Sequence, residues 1–552
     1  MVVDGQQPTG TGSPRVRRRA AAAAGGGTAN PGRRPWWVWA VPFAAVFGAL
    51  LVRNVFLFST PLYEDADMGA NSILIEQARR FTLLVGMYSR EKFNHPGPAF
   101  LYVQSWGEDL FWAALHAVPT AWNGQLIAVY ALNAVFAALV AGTGYGQARS
   151  VRTAAACCCA LLALAAVRPG VFSSDWMPYV LIPAYVAFLV AIASVAAGRL
   201  QDAWIAALAG WFLINGNVAF LFFVPLGAAG CLVALAWPRR KRLGAAARSF
   251  AARRRRVWVP VAAISAVFAF PIVLNTVTHW PGEFGKYLAY SSASSPGAAP
   301  GPHGLPQVAD YVLWFWWPGG SAVRWVVPVA AYAVAGAAVW RMVPGPARRF
   351  CASLLAFDAL TSAAFVFYAA VGIDELDPLG RYIGYFYWAV PAITLLVILL
   401  AVTESVPPLP GLAVAVGAAV VAFSVFAVAP QTRTSTDRVD PVGGHGSPTN
   451  PALPAGVARL AALAAGRPVV LYVPPGAWPV ATGLLVQAER TGVTACVDRA
   501  ALEYLVTSQF LCTPAEVARG AKFAVYAANG VPPGMRVAVG LGSEVVARQG
   551  QT

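Results

Sequence analysis

Charge is what this sequence has least of. Asp, Glu, Lys and Arg make up 12% of its 552 residues, about half the share in a soluble globular protein. So few charges cannot cover a water-facing surface of this size, which excludes an ordinary soluble enzyme. Hydrophobic residues reach 58%, which excludes a long disordered chain. Acids are scarcer than bases, 24 against 40, for a net charge of +16. In a soluble protein that excess suggests nucleic acid; in a membrane protein it records orientation, because Lys and Arg collect on the cytoplasmic side. Histidines number 5 and cysteines 7, without a CxxC or a His/Cys metal spacing. There is no GxxxxGK[ST] and no GxGxxG opening a helix after a strand, so no nucleotide cofactor is expected.

Long apolar runs fill the chain instead. At roughly 20 residues per crossing, spans are expected at 36–57, 122–143, 153–169, 177–198, 203–215, 217–237, 257–278, 322–340, 351–371, 384–402 and 410–430, about eleven. The break between the fifth and sixth is Asn215-Gly216-Asn217. Residues 1–35 carry six Arg and one acid and read as a disordered basic cytoplasmic tail. With the N-terminus inside, Arg149, Arg152, Arg199, nine basic residues in 238–256, and Arg341, Arg348 and Arg349 all fall in the cytoplasm, as the positive-inside rule requires. The segment 97–118 contains Gln104, Glu108 and Asp109, costly at mid-membrane. Counting it as a span would also invert the rule for Arg149, Arg152 and Arg199, so it reads as an interfacial or re-entrant helix on the outer side.

The reading is therefore an all-α polytopic protein of the bacterial cytoplasmic membrane with a small extracytoplasmic α/β domain. Outer segments are 58–121, 280–321 and 431–552. A polar linker over 431–455 leads into 456–552, where strand-like runs at 468–473 and 493–497 flank a helical pattern near 478–490. Cys157, Cys158, Cys159, Cys231 and Cys351 lie in or beside spans, as packing residues. Cys496 and Cys512 fall in the exported domain, where they form either a disulfide or two buried thiols.

The densest polar cluster follows the first span. Glu64, Asp65 and Asp67 come first. Next is an amphipathic helical pattern with Leu74, Ala78 and Phe81 on one face, then Tyr88-Ser-Arg-Glu-Lys-Phe-Asn-His-Pro-Gly-Pro98. Ionisable residues gathered at a membrane surface are a functional hypothesis by default.

This layout resembles the GT-C class of membrane glycosyltransferases over roughly 36–430, and within it actinobacterial cell-envelope arabinofuranosyl- and mannosyltransferases. The acidic motif is Glu64-Asp65-Ala66-Asp67, the second element His95-Pro96-Gly97-Pro98, the later acid Asp175, and the large loop after the seventh span 280–321, with Lys286, Tyr287 and Tyr290. Pro-Gly-Pro after His95 departs from the class's Pro-Pro.

The resemblance implies an inverting transfer of a sugar from a polyprenyl-phosphate donor to an envelope glycan, lipid or protein hydroxyl, on the outer face, with membrane lipids around it and no nucleic acid. Such a reaction needs a carboxylate to take the acceptor proton and positive charge where phosphate leaves. Asp65 is preferred slightly over Asp67 as that base. Asp175 is the second-site acid or a helix cap. Glu64, Arg90, His95, Lys286, Arg381 and Tyr382 are assigned to substrate and phosphate. Arg381 can instead pair with Asp374 or Asp377, Lys286 can snorkel, and His95 can be a first-turn structural residue. A divalent ion, Mg or Mn, is allowed at Asp65, Asp67 and Asp175. The run Tyr311–Trp317 reads mainly as interface anchors. The C-terminal domain either helps bind acceptor or braces the outer face. The rival reading is a transporter or flippase for lipid-linked saccharides, opposed by the scarcity of ionisable residues within the spans.

Overall fold

Helices form where the apolar runs predict them, because a segment apolar on every side is stable only inside protein or lipid. A computed structural model describes residues 34–548 except 169, 238–256, 292–302, 320–321, 344, 379, 406–448, 534 and 543. Helix α1 is Trp37–Arg53, α2 Ala66–Arg79, α3 Ala99–Gly107, α4 Ala121–Ala148, α5 Val151–Val167, α6 Met177–Ala196, α7 Ala203–Gly216 and α8 Phe220–Ala236. Then follow α9 Val259–Thr278, α10 Gly282–Ser291, α11 Leu305–Trp314, α12 Val323–Met342, α13 Gly345–Val371 and α14 Ala389–Ser405, the last entered through a 3₁₀ segment at Gly380–Trp388. Among the described residues six helical segments are long and apolar enough to cross a membrane: α4, α6, α9, α12, α13 and Gly380–Ser405. With the shorter apolar α1, α5 and α8, this is a multi-pass membrane protein. Ten of the eleven expected spans coincide with helices; the eleventh, 410–430, lies outside the described residues, as do most of the basic tail and linker and the whole of 238–256.

Helix α6 is enclosed on almost every side, whereas α9 and α12 turn most of their apolar surface outward. That is the pattern of a central and two lipid-facing helices. Segment 97–118 gives α3 and a π-helical turn at Glu108–Ala114. Sixteen helical residues reach roughly 24 Å, short of a bilayer core of about 30 Å. Its polar groups are used within the protein: Gln104 donates to Asp175 at 3.3 Å, and Glu108 accepts from Gln125 at 2.8 Å. The spans do contain one deeply buried acid, Asp358 of α13, which accepts a 2.7 Å hydrogen bond from Thr394 of α14. This interhelical bond serves packing, so Asp358 alone does not make an ion path.

The C-terminal domain begins with α15 (Leu453–Ala464) and α16 (Trp478–Arg490). Its strands are β1 Val469–Tyr472, β2 Ala495–Val497, β3 Ala521–Ala527, β4 Arg536–Leu541 and β5 Glu544–Arg548. The sheet order is β2-β1-β3-β5-β4, with β1 parallel to β2 and β3, and β5 antiparallel to β3 and β4. A disulfide joins Cys496 to Cys512. This domain is packed on the bundle rather than tethered to it: Val38–Thr552 is one compact unit. The junction is α2. Its Leu74, Ile75 and Ala78 belong to the bundle core, and its Ala70 and Ile73 to the core of the α/β domain. The expected surface helix is thus covered on both faces. Helices α2 and α16 meet through glycine: a Cβ on Gly69 would lie 2.7 Å from Thr482 Oγ1.

Candidate functional site

The acidic motif is delivered by α4. Asn123 Nδ2 donates to the carbonyls of Leu57 at 2.8 Å and Thr60 at 2.9 Å, and Asn123 Oδ1 accepts from the Leu62 amide at 3.2 Å. Past that anchor the three acids part. Ala66, between Asp65 and Asp67, has φ +47, a left-handed conformation costly for alanine and of a kind that clusters at functional sites.

Glu64 is fully buried. It accepts from Ser72 Oγ at 2.7 Å and pairs with Arg490 of α16 at 2.7 Å. The same guanidinium reaches Glu108 at 3.5 Å and Glu76 at 3.6 Å, and Arg79 adds contacts to Glu76, Glu108 and Asp109. Glu64 therefore belongs to an ionic junction between the domain and α2, not to a substrate surface.

Asp65 faces the α/β domain. Burial lifts its carboxyl from 3.8 to about 7, opposed by a hydrogen bond from Asn450 and reinforced by Glu544 and Glu64. A carboxyl that protonates more readily folded than unfolded loses stability for the protein as pH rises from about 4 to about 7. Asp65→Asn removes that loss, so the variant should melt above the parent at pH 8 and level with it near pH 4.

Asp67 turns the other way, into a cavity of about 370 Å³, within the size range of small-molecule sites. Trp176 Nε1 donates to Asp67 Oδ2 at 2.9 Å, and the Tyr88 hydroxyl donates to Oδ1. The walls come from five parts of the chain. The hairpin 86–95 supplies Tyr88, Arg90 and His95; the start of α6 supplies Trp176; the α7–α8 break supplies Asn217 and Val218; the segment before α14 supplies Asp374 and Tyr382; and the α/β domain supplies Trp478, Tyr504 and Leu505. Asn215-Gly216-Asn217 thus has a packing role. The Gly97 amide donates to the Asn215 carbonyl at 3.1 Å, and a Cβ on Gly97 would sit 2.1 Å from Asn215 Oδ1. That contact is the reason for Pro-Gly-Pro after His95.

The remaining expected residues divide. His95 lines the cavity, its Nδ1 accepting from the Val218 amide at 3.4 Å. Burial pushes its imidazole down to about 4, so it is neutral near pH 7. Asp175 is beside the cavity wall but enclosed, held by Trp122 Nε1 at 2.7 Å and Gln104. Burial raises its carboxyl to about 7 against the Trp122 hydrogen bond. Arg90 lines the cavity and is occupied by Asp374, by Glu375 at 3.1 Å and by Glu91 at 3.3 Å. Lys286 pairs with Glu283 at 2.7 Å and faces a separate recess with His279. Arg381 pairs with neither Asp374 nor Asp377 in any ion pair among the described residues; its guanidinium lies 4.7 Å from the centre of the Trp314 ring. Arg168, at the end of α5, lies 5.1 Å from the same ring and 4.4 Å from Trp388. Tyr311 and Phe315 are fully buried, so the aromatic run is a packed element and not only an interface belt. Asp65, Asp67 and Asp175 do not suit a shared metal: they face three surroundings, and no three His, Cys, Asp or Glu side chains converge among the described residues.

Sequence reasoning left out Tyr88, Trp176, Arg168, Trp478, Tyr504 and Arg490. The first two stand inside the quoted motifs, and an aromatic beside an acid was the available signal. The others carried none, because their partners are remote in the chain.

A helical bundle with its acidic motif after the first span, and a cavity at the end that carries an extra domain, is the GT-C fold of membrane glycosyltransferases. Two solved structures of ArnT from Cupriavidus metallidurans share it. One, bound to undecaprenyl phosphate, has a TM-score of 0.50 at 16% identity and covers 93% of this chain and 98% of its own; the apo form has 0.52 at 16%, covering 92% and 97%. No protein-family model and no curated protein sequence matches the chain.

Proposed function

We propose that the protein is a glycosyltransferase that moves a sugar from a polyprenyl-phosphate donor to a hydroxyl of an envelope glycan, lipid or protein, on the outer face of the bacterial cytoplasmic membrane. The observation that carries this reading is Asp67: a carboxylate held by two donors at the wall of an enclosed cavity, on a GT-C bundle. The ArnT structure that holds undecaprenyl phosphate supports the donor class.

In this reading Asp67 takes the proton of the acceptor hydroxyl as its oxygen attacks the anomeric carbon. The bond from that carbon to the phosphate oxygen breaks, and the lipid phosphate leaves with the electron pair. Its charge requires a cation. Arg381 is the choice, with Arg168 beside it. Both stack on Trp314, which runs by way of Tyr385 to Trp176 at the cavity wall. Stacking leaves the guanidinium edge for phosphate oxygens. Tyr382 at the cavity wall then lies next to the phosphate-binding residue in sequence.

The test is transfer by the purified protein in proteoliposomes supplied with polyprenyl-phosphate sugars. Transfer by the parent and a donor KM raised about tenfold to a hundredfold in Arg381→Gln are expected, the range for losing a charged hydrogen bond. No transfer with any donor, or export of intact donor instead, would reject the reading in favour of the transporter.

A further inference from the structure

The α/β domain touches both ends of the hydrogen bond that holds Asp67. The hairpin carrying Tyr88 is closed by the Gly86 amide to the His95 carbonyl at 2.8 Å and the His95 amide to the Met87 carbonyl at 2.7 Å. Those bonds fix its backbone and leave the Tyr88 ring to be placed by neighbours. Both aromatic neighbours come from the domain. Trp478, the first residue of α16, meets the ring edge-on at 6.2 Å, and Tyr504 does so at 6.3 Å. Edge-to-face pairs at such spacing are favourable and directional. At the other end, Thr482 Oγ1 of α16 donates to the carbonyl of Ala66 at 3.1 Å. Ala66 is the left-handed residue that turns Asp67 toward the cavity.

Tyr504 sits between Cys496 and Cys512, in a loop tied at its base by their disulfide and by the Cys512 amide to the Val497 carbonyl at 3.1 Å. Leu505, in the same loop, is buried at the cavity wall. A loop closed this way has fewer conformations available, so its aromatic is held where Tyr88 needs it.

We propose that Tyr88 is a positioning residue for Asp67, and that the α/β domain sets its position through Trp478 and the disulfide-closed loop bearing Tyr504. The domain is then a working part of the site rather than a brace. This rests on the glycosyltransferase reading for its kinetic consequences and on the geometry alone for its structural one.

The experiment compares Tyr88→Phe, Trp478→Ala, Tyr504→Ala, Tyr504→Phe and Cys496→Ser/Cys512→Ser in the full-length protein, each checked for parental melting. Misplacing a reacting group by about 1 Å costs on the order of 10²-fold in rate. Tyr88→Phe, Trp478→Ala and Tyr504→Ala should therefore lower kcat by about tenfold to a hundredfold while both KM values hold. Tyr504→Phe, which keeps the ring, should recover most of the loss, and the double serine variant should fall between. Trp478→Ala placed in Tyr88→Phe should add little, because both remove one interaction. Additive losses, or a raised acceptor KM with kcat held, would overturn the proposal and make the two aromatics direct acceptor contacts. A structure of Trp478→Ala should show Asp67 turned off Tyr88, and Asp67 unmoved would overturn the proposal without reference to activity. Failure of the parent to transfer sugar would reject the enzyme reading alone, leaving that structural comparison to decide the positioning role.

Discussion

Asp67→Asn is expected to lower sugar transfer by on the order of 10²- to 10⁴-fold, the range for removing a general base, while Asp65→Asn keeps most of it. An asparagine in this place still accepts from Trp176 or Tyr88, so packing is preserved and the loss is chemical. Asp65, two residues away, points into the junction with the α/β domain and cannot reach an acceptor in the cavity. Transfer measured side by side for the two variants decides the assignment. Equal losses would mean that the motif acts as a unit, and a larger loss in Asp65→Asn would return the base to the residue first preferred on sequence.

The second large effect concerns stability. Arg490 has a side chain only 9% exposed and faces Glu64 and Glu108, both at 0%, and Glu76 at 8%. Arg490→Met removes the cation and strands buried carboxylates, a change that costs about 3–5 kcal/mol when one partner of a buried pair is lost. The expected result is a large fall in melting temperature in detergent, with the domain junction the first part to open to proteolysis. Adding Glu64→Gln and Glu108→Gln to Arg490→Met should recover part of the stability, because neutral amides are far cheaper to leave buried than unpaired carboxylates. No recovery would show that the loss comes from packing of the long arginine stem rather than from charge.

Much of the architecture was legible because it is written locally. A span is an unbroken apolar run, and the breaks at Asn215-Gly216-Asn217 and at Gln104, Glu108 and Asp109 interrupt such runs visibly. The short strands and α16 in the C-terminal domain likewise follow from pattern. The candidate site was legible only as a neighbourhood. Three acids in four residues mark the loop, but their division among an ionic junction, a domain interface and a cavity depends on Ala66 at φ +47, which no pattern of side chains announces. The α2 helix reads as a surface helix because half of its partners, Thr482, Gly483 and Arg490, lie some four hundred residues further on; Arg490 and Glu64 are 426 apart.

The scarcity of charge by itself determined that this chain lives in a membrane, where its spans fall, and that its few polar clusters deserve mutation. Those properties follow from transfer of each segment out of water, an energy that sums along the chain without regard to its neighbours. Which acid lines the cavity, which cation is spent on carboxylates and which is stacked on Trp314, and that the C-terminal domain closes the site were decided only by the tertiary structure. Those depend on pair contacts a few ångströms long between residues far apart in sequence, and such contacts exist only once the helices and the domain have packed.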